Sequence, residues 1–191
     1  MLGEPMCECT PNITRCQGDN VTHLPVMLTS IEELNLENTL IDTLDPELLS
    51  SYYRLTVILA ARNRISKLTR TTFSNLTLLR VLQMNSHPIT QIEPGIFDRL
   101  TALERLTLTR KNFRSFPANI FAALSHLQYL ELSYLSLLED LPPSVLAPLT
   151  SLEHLRIVTA LHIERDLSMK DFSRVLPSLT NLSVICRSRT G

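Results

Sequence analysis

The feature that most constrains this 191-residue chain is a 24-residue step in its apolar pattern. One stretch reads Leu79-x-x-Leu82-x-Met84-x-x-His87-x-Ile89-x-x-Ile92, then Phe97 and Leu100. The next reads Leu103-x-x-Leu106-x-Leu108-x-x-Lys111-x-Phe113-x-x-Phe116, then Phe121 and Leu124. Ile31, Leu55, Leu79, Leu103 and Leu127 open five units at this spacing, and Leu152 and Leu179 follow after slightly longer steps. Six full units and a partial seventh mark a repeat architecture.

The spacing within a unit dictates its shape. Positions 4 and 6 alternate with 3 and 5, so a short strand with 4 and 6 inward is predicted there. Positions 11 and 14 return the chain beneath that strand. Phe73, Phe97 and Phe121 share position 19 and are expected to stack as a spine near the outer side. No unit can bury its apolar side alone; stacked units bury it between neighbours. The predicted fold is an α/β solenoid, with short parallel β-strands on the concave face and loops and short helical turns on the convex face. A run of amphipathic helices would need apolar residues three and four apart, without the periodic reset seen at Leu55, Leu79 and Leu103.

This pattern resembles the extracellular leucine-rich repeat proteins, the broad class of Toll-like receptors, glycoprotein-hormone-receptor ectodomains and small secreted proteoglycans. The resemblance spans residues 7–185 and implies a horseshoe. It also implies asparagine at position 9, laddering hydrogen bonds between turns. Here position 9 holds Thr39, Asn63, His87, Lys111, Leu135 and Ala160, so only Asn63 conforms and the other turns need different partners.

Cys7, Cys9 and Cys16 precede the first unit and look like the cysteine-containing cap of secreted repeat proteins. Such a cap covers the open apolar end of the first coil. The resemblance implies that Cys7 pairs with Cys16 and that the partner of Cys9 is missing. The alternative is a zinc site built from the three thiols and His23. The expected organisation is a cap over 1–30, repeats over 31–185 and a tail over 186–191 without a C-terminal cap. Cys186 falls at position 8 of the last unit. The chain reads as a fragment, an incomplete gene product or a short isoform, with a leader and first cysteine expected upstream. An uncapped end would favour self-association.

Four sequons, at Asn12, Asn20, Asn75 and Asn181, point to the secretory route and an extracellular location. Asn181, at position 3, is the least favourable, because a glycan there would cover the concave face. No leader and no run of 18 apolar residues is present in this sequence. Residues 1–50 carry nine acids and one base, leaving 17 bases and 10 acids of the chain's 18 and 19 for the remainder. That asymmetry can steer a partner. It is too mixed for a nucleic-acid stripe.

The outward positions define the candidate binding surface. Arg105, Tyr129, Glu131, Tyr134 and Arg156, with Arg110 beside them, gather tyrosine and arginine, the side chains that most often anchor interfaces. Val57, Leu59 and Val81 form an outward apolar patch, although β-propensity alone also favours such residues in strands. Glu32, Glu33 and Glu37 offer an acidic patch near the cap. No nucleophile elbow, metalloprotease helix or phosphate loop is present, and the five histidines fall at unrelated unit positions. No enzyme, cofactor or metal is expected. The expected function is recognition of a protein ligand by a fragment of a cell-surface receptor or adhesion protein. The alternatives are a secreted soluble binder of matrix or immune ligands and an intracellular scaffold or ubiquitin-ligase adaptor.

Overall fold

The computed structural model describes residues 6–26, 29–109, 116–117, 119–135, 143–159 and 172–186. Strands β1 (Met6–Cys9) and β2 (Ile13–Gln17) form an antiparallel hairpin. Then follow β3 (Glu33–Asn35), α1 (Pro46–Ser50), β4 (Val57–Leu59), β5 (Lys67–Leu68), β6 (Val81–Met84), β7 (Gln91–Ile92) and β8 (Arg105–Thr109). The described part ends with β9 (Tyr129–Leu135), α2 (Pro143–Leu146), β10 (His154–Thr159) and β11 (Asn181–Cys186). One nine-stranded sheet runs β1-β2-β3-β4-β6-β8-β9-β10-β11, parallel from β2 onward. The short strands β5 and β7 pair on their own, so the return side carries a second small parallel sheet as well as turns and short helices.

The register follows the repeat. Glu33, Val57, Val81, Arg105, Tyr129, His154 and Asn181 are successive partners across the sheet. The longer steps that open with Leu152 and Leu179 leave it in place. Inward positions 4 and 6 are buried throughout the full units: Leu34 and Leu36, Ile58 and Ala60, Leu82 and Met84, Leu106 and Leu108, Leu130 and Leu132, Leu155 and Ile157. Phe73, Phe97 and Phe121 are all fully buried, and the rings of Phe97 and Phe121 stack 6.4 Å apart at 6°. Asn38, Arg62 and Ser86, each at position 8, have φ near +60° (58°, 59° and 61°) and turn the chain out of its strand. Their peptide groups stay in the ladder: Asn38 N donates to the Ala61 carbonyl at 3.0 Å and Arg62 N to the Asn85 carbonyl at 2.8 Å.

The N-terminal hairpin covers the first coil. Cys7 and Cys16 are joined by a disulfide, and Cys16 is fully buried against the core. That bond removes two of the thiolates a zinc site would need, and no cluster of three or more ligating side chains occurs among the described residues. Cys9 is exposed and free. The Tyr52 hydroxyl ties the first repeat to the cap by donating to the Pro25 carbonyl at 2.9 Å.

Position 9 shows what replaces a regular asparagine ladder. The Asn63 amide donates to the Leu36 carbonyl at 2.7 Å and the Ala60 carbonyl at 3.1 Å. Its oxygen accepts from the Ile41 N–H at 3.1 Å and from the Thr39 hydroxyl. One side chain thus stitches two turns. The next turn has His87 there, 1% exposed, and neither ring nitrogen meets a partner at hydrogen-bonding geometry. Burial holds its pKa at about 4 against an ordinary 6.5, although the carbonyls of Ala60 and Asn63 favour the charged ring. His87 is therefore neutral in the folded chain at neutral pH.

Two expected outcomes follow from the packing. Leu106→Ala should destabilise by about 2–5 kcal/mol as a large-to-small change in a buried layer. Thr107→Ala should be neutral or slightly stabilising, because its hydroxyl is buried without a partner. Denaturant unfolding of both variants checks this, and equal losses would contradict the alternation. For His87, the folded state binds fewer protons than the unfolded state between pH 4 and 6.5. Its contribution is complete above the unfolded value and is lost as pH falls toward 4, by about 3 kcal/mol at most. His87→Asn should flatten that part of the stability profile between pH 7 and 4.5; parallel profiles for the two proteins would rule the effect out.

Candidate functional site

The strand alternation that buries Leu106, Leu130 and Leu155 turns the flanking residues outward. Across β8, β9 and β10, Arg105, Tyr129 and His154 line up at position 3, and Thr107, Glu131 and Arg156 at position 5. The Arg105 guanidinium lies over the Tyr129 ring, 5.3 Å from its centroid. The His154 ring approaches Tyr129 from the other side at 6.4 Å. The tyrosine is therefore held between a cation and an imidazole on neighbouring strands.

Glu131 is the clasp of this group. Its Oε2 accepts from the Tyr129 hydroxyl at 3.1 Å and lies 3.8 Å from Arg156 Nη1. Its Oε1 accepts from the Ser133 hydroxyl at 3.1 Å. Desolvation, with the neighbouring Glu131 carboxylate, raises the Tyr129 pKa, so the phenol stays protonated and keeps donating. The Arg156 side chain is 43% exposed, yet its Nε has no acceptor among the described residues. Arg105 is exposed, and its guanidinium meets the Tyr129 ring rather than a carboxylate among the described residues. The site can therefore offer hydrogen-bond donors and a positioned aromatic face.

The structure brings Arg105, Tyr129, Glu131 and Arg156 together. Val57 and Val81 continue the row containing Arg105, while Leu59 pairs with Gln83 in the adjacent row; all three apolar residues are half-buried. Tyr134 belongs to β9 at a bulge: Val158 pairs with Ser133 and Thr159 with Leu135, leaving Tyr134 out of register. Its side chain, and Arg110 entirely, lie outside the described residues. The sequon residues Asn12, Asn20, Asn75 and Asn181 are exposed, and Asn181 opens β11 beside His154. Among the described residues no helix is long and apolar enough to cross a membrane.

Two features escaped the sequence reading. Ser133 was not singled out, although its place two residues after Glu131 on one strand is the signal that aligns their side chains. A polar cleft of about 370 Å³ opens where units one to three leave their strands, lined by Glu37, Asn38, Arg62, Gln83, Asn85 and Ser86. Asn85 Oδ1 is buried there without a partner among the described residues. No apolar period marks such a cleft; it arises from turns stacked in register.

Known proteins share this architecture. Residues 53–113 and 102–159 match the Leucine rich repeat family. The human Leucine-rich repeats and immunoglobulin-like domains protein 3 is 34% identical over 116 residues, 60% of this chain and 10% of that protein. The TLR13-ssRNA13 complex superposes with a TM-score of 0.71 at 25% identity, over 87% of this chain and 24% of that one. An internalin from Listeria monocytogenes shares the fold with a TM-score of 0.64 at 22% identity, over 91% of this chain and 47% of that one. This chain thus spans less than half the length of each of these proteins. With the family matched over more than half its residues and the repeat register continuous through the sheet, the chain belongs to the leucine-rich repeat family.

Proposed function

We propose that this chain is a protein-recognition module that works outside the cell, as part of a surface receptor or adhesion protein, and that it binds through the concave sheet around Arg105, Tyr129, Glu131 and Arg156. The observation that carries this reading is the Tyr129 ring. It is fixed by Arg105, His154 and Glu131 on three adjacent strands, and a preset aromatic anchor loses little entropy on binding. By their place in the repeat pattern Arg110 and Tyr134 are further candidates for this surface, and Val57, Leu59 and Val81 extend it toward the cap.

The extracellular assignment rests on chemistry that an oxidising compartment favours. The Cys7–Cys16 bond is of the kind that persists outside the cytosol. The exposed sequon asparagines are accessible to glycan addition, and Asn75, at position 21 of its unit, lies outside the strands that form the proposed face. A secreted binder is the second reading that these observations fit; an intracellular adaptor uses neither. TLR13 is found in complex with single-stranded RNA. The sheet here mixes signs from strand to strand, so we favour a protein ligand over a phosphate backbone. We assign no catalytic role to the site: its one carboxylate is engaged by Tyr129, Ser133 and Arg156.

Surface display of extracellular proteins against the folded chain supplies the ligand for the test. Tyr129→Ala should then cost about 1–4 kcal/mol of binding while thermal unfolding changes little. Arg110→Glu should mainly slow association if position 8 of its unit lies at the rim of the interface. Binding unchanged in both variants would place the interface elsewhere.

A further inference from the structure

We propose that the concave face is polarised and takes an acidic protein segment in one direction, its apolar residues on Val57, Leu59 and Val81 and its carboxylates on Arg105 and Arg156. This rests on the reading of the face as a protein-binding surface and adds the chemistry and orientation of what it binds.

The outward residues change character along the sheet. Near the cap stand Glu33 and Asn35, with Glu33 3.9 Å from Arg15. The next two strands present Val57, Leu59 and Val81, half-buried and apolar, together with Gln83. Across β8, β9 and β10 the position-3 and position-5 residues are Arg105, Thr107, Tyr129, Glu131, His154 and Arg156, and β11 adds Asn181 and Ser183. Glu131 is the only acid in that group, and both its oxygens are occupied from within. Among the described residues Arg105 meets a ring rather than a carboxylate, and Arg156 Nε lacks an acceptor. At the border, Glu104 is already paired with Arg80 at 3.4 Å, while Glu153 is exposed beside His154. The row therefore has donors in excess of acceptors, and carboxylates from a partner meet that excess.

The dimensions set the size of the segment. Val57 to Arg156 spans four steps of about 4.8 Å, or about 19 Å. An extended chain covers that in about six residues. A fitting segment carries two or three apolar residues at one end and aspartate or glutamate two to four positions away. Extended backbone crossing the strands places its side chains on the row, whereas a basic segment would meet Arg105 unfavourably.

A random 12-residue peptide library displayed on phage, selected on the whole chain, tests this with a defined probe. The expected result is enrichment of net-acidic peptides with a separate apolar block. Their affinity should fall at least about ten-fold with Arg105→Glu and hold within about two-fold with Arg99→Glu, an exposed arginine off the row. It should also weaken as salt rises. Far-ultraviolet circular dichroism and thermal unfolding of each variant confirm that the fold is retained. Neutral or basic peptides that still depend on Tyr129 would overturn the acidic assignment while leaving the face as the binding surface. Peptides of any charge indifferent to both Arg105→Glu and Tyr129→Ala would remove the concave-face reading itself. A selection that enriches no Arg105-dependent acidic peptide overturns the proposal.

Discussion

Everything in this chain depends on burial between neighbouring coils. Each unit exposes an apolar side that only the next unit can cover, so Leu34, Ile58, Leu82, Leu106, Leu130 and Leu155 form one continuous buried file. That single constraint fixes the parallel register and, through the pleat, decides which residues face outward. The surface chemistry is thus a by-product of the core: Arg105 and Tyr129 are neighbours because Leu106 and Leu130 must be. At the first coil the constraint is met differently. A disulfide-linked hairpin, with Cys16 turned inward, supplies the missing neighbour.

The layering is less uniform at the turns. Asn63 satisfies groups from two coils at once, but the same position one unit later holds an imidazole that makes no such bonds. The stack tolerates this because the strand ladder beside it is unbroken: Ala60 N still donates to the Gln83 carbonyl at 2.9 Å and Arg62 N to Asn85 at 2.8 Å. Side-chain stitching reinforces the turns, while the backbone ladder is sufficient to define them.

Much of this was legible in the sequence because repetition amplifies a weak local signal. A three-residue strand such as Glu33–Asn35 is beyond propensity arguments, yet the 24-residue step predicts it over positions 3 to 6, with the correct start and an end one residue too long. The inward and outward sets follow from pleat alone. What could not be read was chemistry between strands: that Glu131 serves Tyr129, Ser133 and Arg156 rather than standing open to a partner, and that Arg105 settles on the tyrosine ring. Those choices depend on rotamers and distances that no period encodes. The small β5–β7 sheet was missed for a related reason, since two-residue strands carry no alternation.

The unequal unit lengths have a consequence of their own. The steps from Arg105 to Tyr129, from Tyr129 to His154 and from His154 to Asn181 grow progressively longer, yet each delivers its residue to the same rung. The strands therefore act as a fixed scale and the return arcs as slack. A residue added to an arc costs little closure entropy and moves nothing on the scale. A residue added within a strand inverts the faces beyond it, unless a bulge absorbs it, as at Tyr134. A lineage of such chains can thus vary freely in length along one side while the spacing of its contact residues on the other stays fixed.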